Sequence, residues 1–98
     1  MTSAEKRAFN RAKLRAIEIL HSKGYWVIKN ANINHAVDLV GLKENDLIFI
    51  KVIMRPKGKP MIATKELKRM KNAKAPKIVK KELWLLERGR GFHFITAN

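Results

Sequence analysis

The sequence predicts one α/β domain in which helices flank a mixed central sheet, in the order α-β-β-β-α-β-β. Three observations support this fold class. A long N-terminal stretch has apolar residues every three to four positions, short apolar runs alternate with turn residues, and a second helical stretch separates the third run from the fourth. A chain of 98 residues with 46% hydrophobic residues has room for one core. Residues 1–98 are therefore predicted to form a single domain.

The first helix is predicted over residues 3–23. Apolar residues recur along one side of this segment: Phe9, Ala12, Ala16, Ile19 and Leu20. The hydroxyl side chain of Thr2 is followed three residues later by Glu5, which is the capping-box pattern of a helix start. Gly24 follows the segment and is placed to end the helix.

Three strands are predicted after this helix, over residues 25–28, 36–42 and 47–54. The polar residues 29–35 and 43–46 form the turns between them. The third strand is apolar almost without interruption, which is typical of a central strand that is buried on both faces.

Residues 55–60 form a basic loop, because two prolines there remove the N–H donors that a sheet requires. A second helix is predicted over residues 62–74. Two further strands follow over residues 77–86 and 92–96, and residues 87–91 form the hairpin between them.

Positive charge is the most informative feature of the composition. Between Lys51 and Lys81 there are twelve basic residues and one acid, Glu66, so this segment carries +11 of the chain's net +14. Self-repulsion of that size opposes a compact state, and a polyanion relieves it. The charge therefore favours binding to nucleic acid over the alternative interpretation, a solvated surface that serves only solubility. The predicted contacts with nucleic acid are Arg7, Arg11, Arg15, Arg55, Lys57, Lys59, Lys65, Lys68, Arg69 and Lys71.

Other classes are disfavoured by what the sequence lacks. The chain has no cysteine, so it holds neither a disulfide nor a thiolate zinc site, and its folding is predicted to need no cofactor. No apolar stretch is long enough to span a bilayer, and the N-terminal residues contain no apolar signal-peptide core. We expect a cytoplasmic protein without a membrane partner.

Asp38 and Lys51 are charged residues within apolar strands. Burying a charge is unfavourable unless it is paired or lies at a cleft. Because the two strands are predicted to be adjacent and antiparallel, one interpretation is a structural ion pair and the other is a catalytic site. Trp26 and Trp84 also lie on predicted strands, and we expect them in the core rather than as platforms for base stacking.

The segment Val37-Asp38-Leu39-Val40, the strand Ile48-Phe49-Ile50-Lys51-Val52 and the order of elements around them resemble the PD-(D/E)xK nucleases of the restriction-endonuclease-like fold. Within that superfamily the chain is similar to the archaeal Holliday-junction resolvases. The resemblance covers nearly the whole chain and implies a DNA-binding domain with a divalent-metal site. It implies that Asp38 is the metal-binding Asp and that Lys51 is the catalytic Lys, which orients or activates the attacking water.

Two departures from the family pattern imply an inactivated site. Phe49 stands two residues before Lys51, where the family has a carboxylate, and Lys13 stands near the position where resolvases have a Glu on the first helix. One Asp alone is a poor Mg²⁺ site, because such sites usually use two carboxylates together with substrate phosphate. The resemblance therefore favours a catalytically degenerate domain that binds nucleic acid, with DNA favoured.

Three alternatives stay open. In the first alternative, Glu66 on the second helix supplies the missing carboxylate. Asp38, Lys51 and Glu66 then form the site of an active Mg²⁺-dependent endonuclease. The simpler interpretation of Glu66 is an ordinary helical neighbour of a basic residue. Glu18 on the first helix is a further candidate, and its simpler interpretation is a solvated helix residue. The second alternative is an RNA-binding or ribosome-associated basic module. The third is assembly into a homodimer, because resolvase-like domains pair.

Overall fold

The computed structural model describes residues 3–29, 37–54, 64–87 and 91–97. Within these residues the chain forms two helices and five strands in the predicted order. Their bounds are α1 Ser3–Ser22, β1 Trp26–Lys29, β2 Leu39–Lys43, β3 Asp46–Met54, α2 Thr64–Asn72, β4 Lys80–Glu87 and β5 Gly91–Thr96. Most of the predicted turn 29–35, the basic loop 55–60 and the tip of the hairpin 87–91 lie outside the described residues.

The strands form one mixed sheet in the spatial order β1-β2-β3-β4-β5. Neighbouring strands are antiparallel except for β3 and β4, which run parallel. A parallel pair needs a long crossover connection, and α2 lies in the segment that joins β3 to β4. The predicted α/β class with a mixed sheet is therefore confirmed.

Helix α1 packs on one face of the sheet through small and aliphatic side chains. Ala12, Ala16 and Leu20 are buried in a core with Ile50 and Trp84. The helix ends next to Gly24, as the sequence predicts. Gly24 has a φ of +88°, in the left-handed region that glycine adopts without a steric penalty. Neither described helix combines the length and apolar character needed to cross a membrane.

Strand β3 contributes to two cores, one on each face of the sheet. Ile48, Ile50 and Val52 are buried in the core beneath α1. Phe49 and Ile53 pack instead in a second core, which includes Met70 of α2 together with Leu83 and Leu85 of β4. The prediction of a central strand is therefore confirmed; its side chains are buried on the α1 face and partly buried on the α2 face. Because side chains alternate along a strand, α1 and α2 lie on opposite faces of the sheet, and Lys51 lies on the α2 face.

Three element boundaries that lie inside the described residues differ from the predicted ones by two or three residues, and several others differ by one. Helix α2 ends at Asn72 rather than at residue 74, and β4 begins at Lys80 rather than at residue 77. Residues 77 and 78 form a turn, in which Val79 N–H donates to the Pro76 carbonyl. Strand β2 begins at Leu39 rather than at residue 36, so Asp38 immediately precedes the strand.

A buried lysine caps the C-terminal end of α2. The Lys81 ammonium donates to the carbonyl of Ala73 at 2.7 Å and to that of Lys71 at 3.2 Å. The last carbonyls of a helix lack partners within the helix, and a cation there also interacts favourably with the helix dipole. Lys81 of β4 therefore ties the C-terminal end of α2 to the sheet.

The packing of α1 generates a prediction about Gly41, which is buried in β2. A Cβ atom at this position would lie 2.8 Å from the Ile48 Cγ2 methyl and 3.1 Å from Cδ1 of Tyr25. We expect Gly41→Ala to lower the free energy of unfolding by about 1–3 kcal/mol, because the core must shift to admit the methyl group. Urea denaturation monitored by circular dichroism measures the change.

The compensating substitution is Ile48→Leu, since leucine lacks the Cγ2 methyl. The double variant should lose less stability than the sum of the two single variants. If Gly41→Ala unfolds at the wild-type urea concentration, close packing at this position does not constrain the fold.

Candidate functional site

The ion pair between Asp38 and Lys51 lies on the α2 face of the sheet. The last β2–β3 pair is Leu39 with Ile50, and Asp38 stands one residue before this pair, where its N–H donates to the Ile50 carbonyl at 2.8 Å. Lys51 Nζ is 3.5 Å from Asp38 Oδ2, and the two side chains are 23% and 15% exposed. The structure thus brings together the two residues that the sequence predicts, in the pairing expected for adjacent antiparallel strands.

The Asp38 carboxylate has a second contact that serves the fold. The Val52 N–H donates to Asp38 Oδ2 at 2.8 Å. Val52 lies beyond the last β2–β3 backbone pair, so β2 offers it no backbone acceptor. The Asp38 carboxylate, just before the start of β2, satisfies the Val52 N–H instead. A single carboxylate oxygen therefore accepts the strand N–H and contacts the lysine.

Phe49 occupies a core position, two residues before Lys51 and on the same face of β3. Its side chain packs against the cluster that contains Met70 and Leu83. A carboxylate here would be a buried charge within an apolar cluster, which is strongly unfavourable without a partner. The position at which the nuclease family has a metal ligand is therefore part of the hydrophobic core in this chain.

Glu66 lies in the first turn of α2 and is half-buried. Met70, four residues later and hence on the same side of the helix, is fully buried in the core beneath α2. Glu66 is therefore on the flank of α2 that turns toward the sheet, on the face that carries Asp38 and Lys51. The part of the chain that the structure describes contains no group of three or more His, Asp or Glu residues placed to hold a metal ion.

The sequence relates two residues of α1, Lys13 and Glu18, to this site. Helix α1 lies on the other face of the sheet. The Lys13 ammonium lies 4.8 Å from the centre of the Phe9 ring, a cation–π contact within the helix. Glu18 pairs with Arg15 at 3.2 Å on the solvent side of α1. Glu18 is therefore a solvated helix residue, as its simpler interpretation predicts, and α1 lies on the opposite face of the sheet from Asp38 and Lys51.

The predicted nucleic-acid contacts are divided between two surfaces. The first, which we name the α2 basic surface, consists of exposed cations on α2: Lys65, Lys68, Arg69 and Lys71. The second, the α1 basic surface, consists of Arg7, Arg11 and Arg15, which are exposed on the opposite side of the sheet. Arg55, Lys57 and Lys59 lie outside the described residues. The two surfaces face away from each other, which the sequence does not indicate.

Part of the basic segment serves the fold instead of the surface. Lys51 pairs with Asp38, Lys81 binds the end of α2, and Lys80 lies 3.3 Å from Asp46 across the sheet. These three lysines contribute to the charge counted between residues 51 and 81 but have partners within the domain. The count of cations in the sequence therefore overstates the charge that this segment offers to a partner.

The two tryptophans have opposite environments. Trp84 is 2% exposed and packs against Phe94 with ring centres 4.6 Å apart, so the prediction that it is a core residue is confirmed. The same prediction for Trp26 is wrong, because its side chain is 80% exposed. Trp26 lies on the edge strand β1, next to Val27, which packs toward α1. An apolar run in the sequence does not indicate which side of an edge strand is covered.

No family model matches this chain, and no curated protein matches it in sequence. The resemblance to the nuclease superfamily therefore stays a prediction.

A double-mutant cycle tests whether the Asp38–Lys51 pair supports the fold. We expect Asp38→Ala to lower the free energy of unfolding by about 2–4 kcal/mol, because it leaves the Val52 N–H without its acceptor and removes the counterion of Lys51. Lys51→Met should cost less, since its removal leaves the Val52 hydrogen bond in place. The coupling energy between the two substitutions should be about 1–2 kcal/mol by urea denaturation.

The exposed pair of Asp46 and Lys80 is the matched control for this cycle. Its coupling energy should stay below about 1 kcal/mol, because water screens an exposed pair. Equal coupling in the two cycles would contradict a structural role for Asp38 and Lys51 beyond that of an ordinary surface pair.

Proposed function

We propose that this domain binds nucleic acid, with DNA favoured, and that it is a catalytically degenerate domain of the restriction-endonuclease-like fold. The observation that carries the proposal is the α2 basic surface. Its four cations are exposed on the same side of the sheet as Asp38 and Lys51, and α2 contains one acid, Glu66. The lysines that have partners within the domain, Lys51, Lys80 and Lys81, lie outside α2. The contacts of the fold therefore do not explain the four cations of the α2 basic surface.

Binding through such a surface is electrostatic. Lysine and arginine contacts with phosphates position a protein on the backbone and carry little sequence information. Each phosphate that is neutralised releases counterions, so affinity falls steeply as salt rises. We accordingly propose a domain that recognises the charge and shape of a nucleic acid more than its sequence.

The order and pairing of the elements support the nuclease-like assignment. The resemblance implies the order α-β-β-β-α-β-β around a mixed sheet, with Asp38 and Lys51 at one site; the order of the elements, the mixed sheet and the short Asp38–Lys51 distance support it. Loss of cutting is supported by the core position of Phe49 and by the contacts of Asp38 with Val52 and Lys51. We also propose a cytoplasmic location, on the basis of the sequence alone.

An active endonuclease is the second candidate, because of one observation. Glu66 is half-buried on the side of α2 that turns toward the sheet, on the face that holds Asp38 and Lys51. A carboxylate in that place is a candidate for the metal ligand that Phe49 does not supply. A nuclease assay separates this candidate from the degenerate one.

The binding proposal predicts a salt-dependent affinity that depends on one face of the domain. We expect the double variant Lys68→Gln/Arg69→Gln to bind duplex or branched DNA more weakly and to reduce the slope of log affinity against log salt by roughly 2, about one per lost phosphate contact. Fluorescence anisotropy with labelled DNA over a series of salt concentrations measures both quantities. Structured RNA at matched salt is the parallel titration that tests the RNA-binding alternative.

The charge-matched control is Arg7→Gln/Arg11→Gln on the α1 basic surface. It should change the affinity and the slope less, because α1 lies on the opposite face of the sheet. Equal losses from the two double variants would contradict the assignment of the interface to α2, and an affinity that hardly changes with salt would overturn nucleic-acid binding.

The degenerate site predicts no cleavage. Purified protein incubated with junction and duplex DNA in Mg²⁺ or Mn²⁺ should leave both substrates intact on a denaturing gel. Cleavage that disappears in both Asp38→Ala and Glu66→Ala, while circular dichroism shows both variants folded, would establish the active endonuclease instead. Cleavage that persists in both variants would point to a contaminating nuclease and leave the prediction standing.

A further inference from the structure

The α1 basic surface is explained neither by the fold nor by the interface proposed on α2. Arg7, Arg11 and Arg15 follow one another at intervals of four residues, so their side chains are neighbours along one side of the helix. Ala12 and Ala16 are buried against the sheet, whereas all three arginines are exposed. Like charges at this spacing destabilise a helix, so folding alone does not favour the arrangement.

The acids of α1 offset only part of its charge. The helix contains five Lys or Arg residues and two Glu, while α2 contains four and one, so the two helices have the same excess of cations. Among the described residues, Arg15 is the one of the three arginines that pairs with an acid, Glu18 at 3.2 Å. Arg7 donates to the Ser3 carbonyl at 3.4 Å, which leaves its charge uncompensated. The positive charge of Arg7 and Arg11 is therefore available to a partner.

The chemistry of the α1 basic surface fits a phosphate backbone. A helix rises about 6 Å over four residues, so the three arginines span about 12 Å, roughly three or four phosphates of one strand. Guanidinium groups also bind phosphate oxygens in a bidentate manner. An anionic membrane is a poorer fit, because the apolar face of α1 that would have to insert is already packed on the sheet.

The two basic surfaces are too far apart for one short duplex to contact both. Helices α1 and α2 lie on opposite faces, and two helices of about 10 Å diameter with a sheet between them separate the surfaces by more than about 20 Å. The shortest dimension of the domain is 25 Å. A duplex is stiff over about 150 base pairs and does not fold around such an object. Charges on the two faces are screened from each other, since the Debye length at physiological salt is about 8 Å.

We propose that one copy of this domain holds two nucleic-acid segments at once, the first on the α2 basic surface and the second on the α1 basic surface. This inference rests on the proposed nucleic-acid binding and adds a second interface to it. Glu18 beside Arg15 makes the α1 basic surface the weaker of the two. The domain then bridges two duplexes, and the loss of α1 contacts affects the second binding step more than the first.

Energy transfer between two labelled duplexes tests the bridge. Two blunt DNA duplexes of about 12 base pairs, roughly 40 Å long, carry a donor and an acceptor respectively. Wild-type protein should raise the transfer, with a maximum near one copy for every two duplexes. The transfer should fall again when protein is in excess, because each duplex then occupies the α2 basic surface of its own copy.

Two double variants show whether α1 is responsible. Arg7→Gln/Arg11→Gln should weaken binding of the second duplex by roughly tenfold and remove most of the transfer, while anisotropy still detects binding of the first. Arg7→Lys/Arg11→Lys keeps the charge and should retain most of the transfer. The charge-matched control is Lys74→Gln/Lys77→Gln, two exposed lysines between α2 and β4. Its transfer should stay within about twofold of wild type, because both positions lie outside the α1 basic surface.

The outcomes separate this inference from the proposed function. Equal loss of transfer in Arg7→Gln/Arg11→Gln and in the control would overturn the bridge, because total charge would then determine it. Absence of transfer at every ratio, with salt-dependent binding of one duplex retained, would remove the bridge and leave the proposed function. Absence of binding to any duplex would remove both. Sedimentation that shows a wild-type dimer without DNA would assign the bridging to two copies and overturn the proposal.

Discussion

The burial of β3 on both faces is the constraint on which the rest of the structure depends. Ile48, Ile50 and Val52 complete the core under α1, while Phe49 and Ile53 complete the core under α2. A strand in this position is covered on both faces, fully on the α1 side and partly on the α2 side, so apolar residues and paired charges are favoured along it. The two helices consequently lie on opposite faces, and every surface feature of the domain belongs to one face or the other.

Lys51 is the charged residue in the middle of this otherwise apolar strand. A lysine between Phe49 and Ile53 must reach a partner or the edge of the core, and Asp38 provides a carboxylate from the position just before β2. The same carboxylate accepts the Val52 N–H, at the point where β2 no longer supplies a backbone partner. The pair therefore has a structural function that is independent of any catalysis.

Sequence reasoning succeeded where local pattern and packing agree. Three features show this: the amphipathic face of α1, the end of that helix at Gly24 and the continuous apolar run of β3. In each, the local pattern favours one conformation, and the structure adopts it. It failed where tertiary context decides. Trp26 resembles Trp84 in its local sequence, yet only an interior strand is covered on both sides. Likewise nothing local indicates that Lys81 would bind the end of α2.

The placement of charge separates the residues that the fold explains from those that it does not. Lys51, Lys80 and Lys81 stabilise strand pairing or a helix end, so their presence needs no external partner. The cations of the α2 basic surface are exposed and share their helix with one acid, which adds repulsion to a domain that already carries +14. The presence of Asp38 and Lys51 is therefore weak support for nuclease activity, since their role in the fold is enough to explain it. The exposed cations are the stronger argument for binding, because folding alone would favour fewer of them.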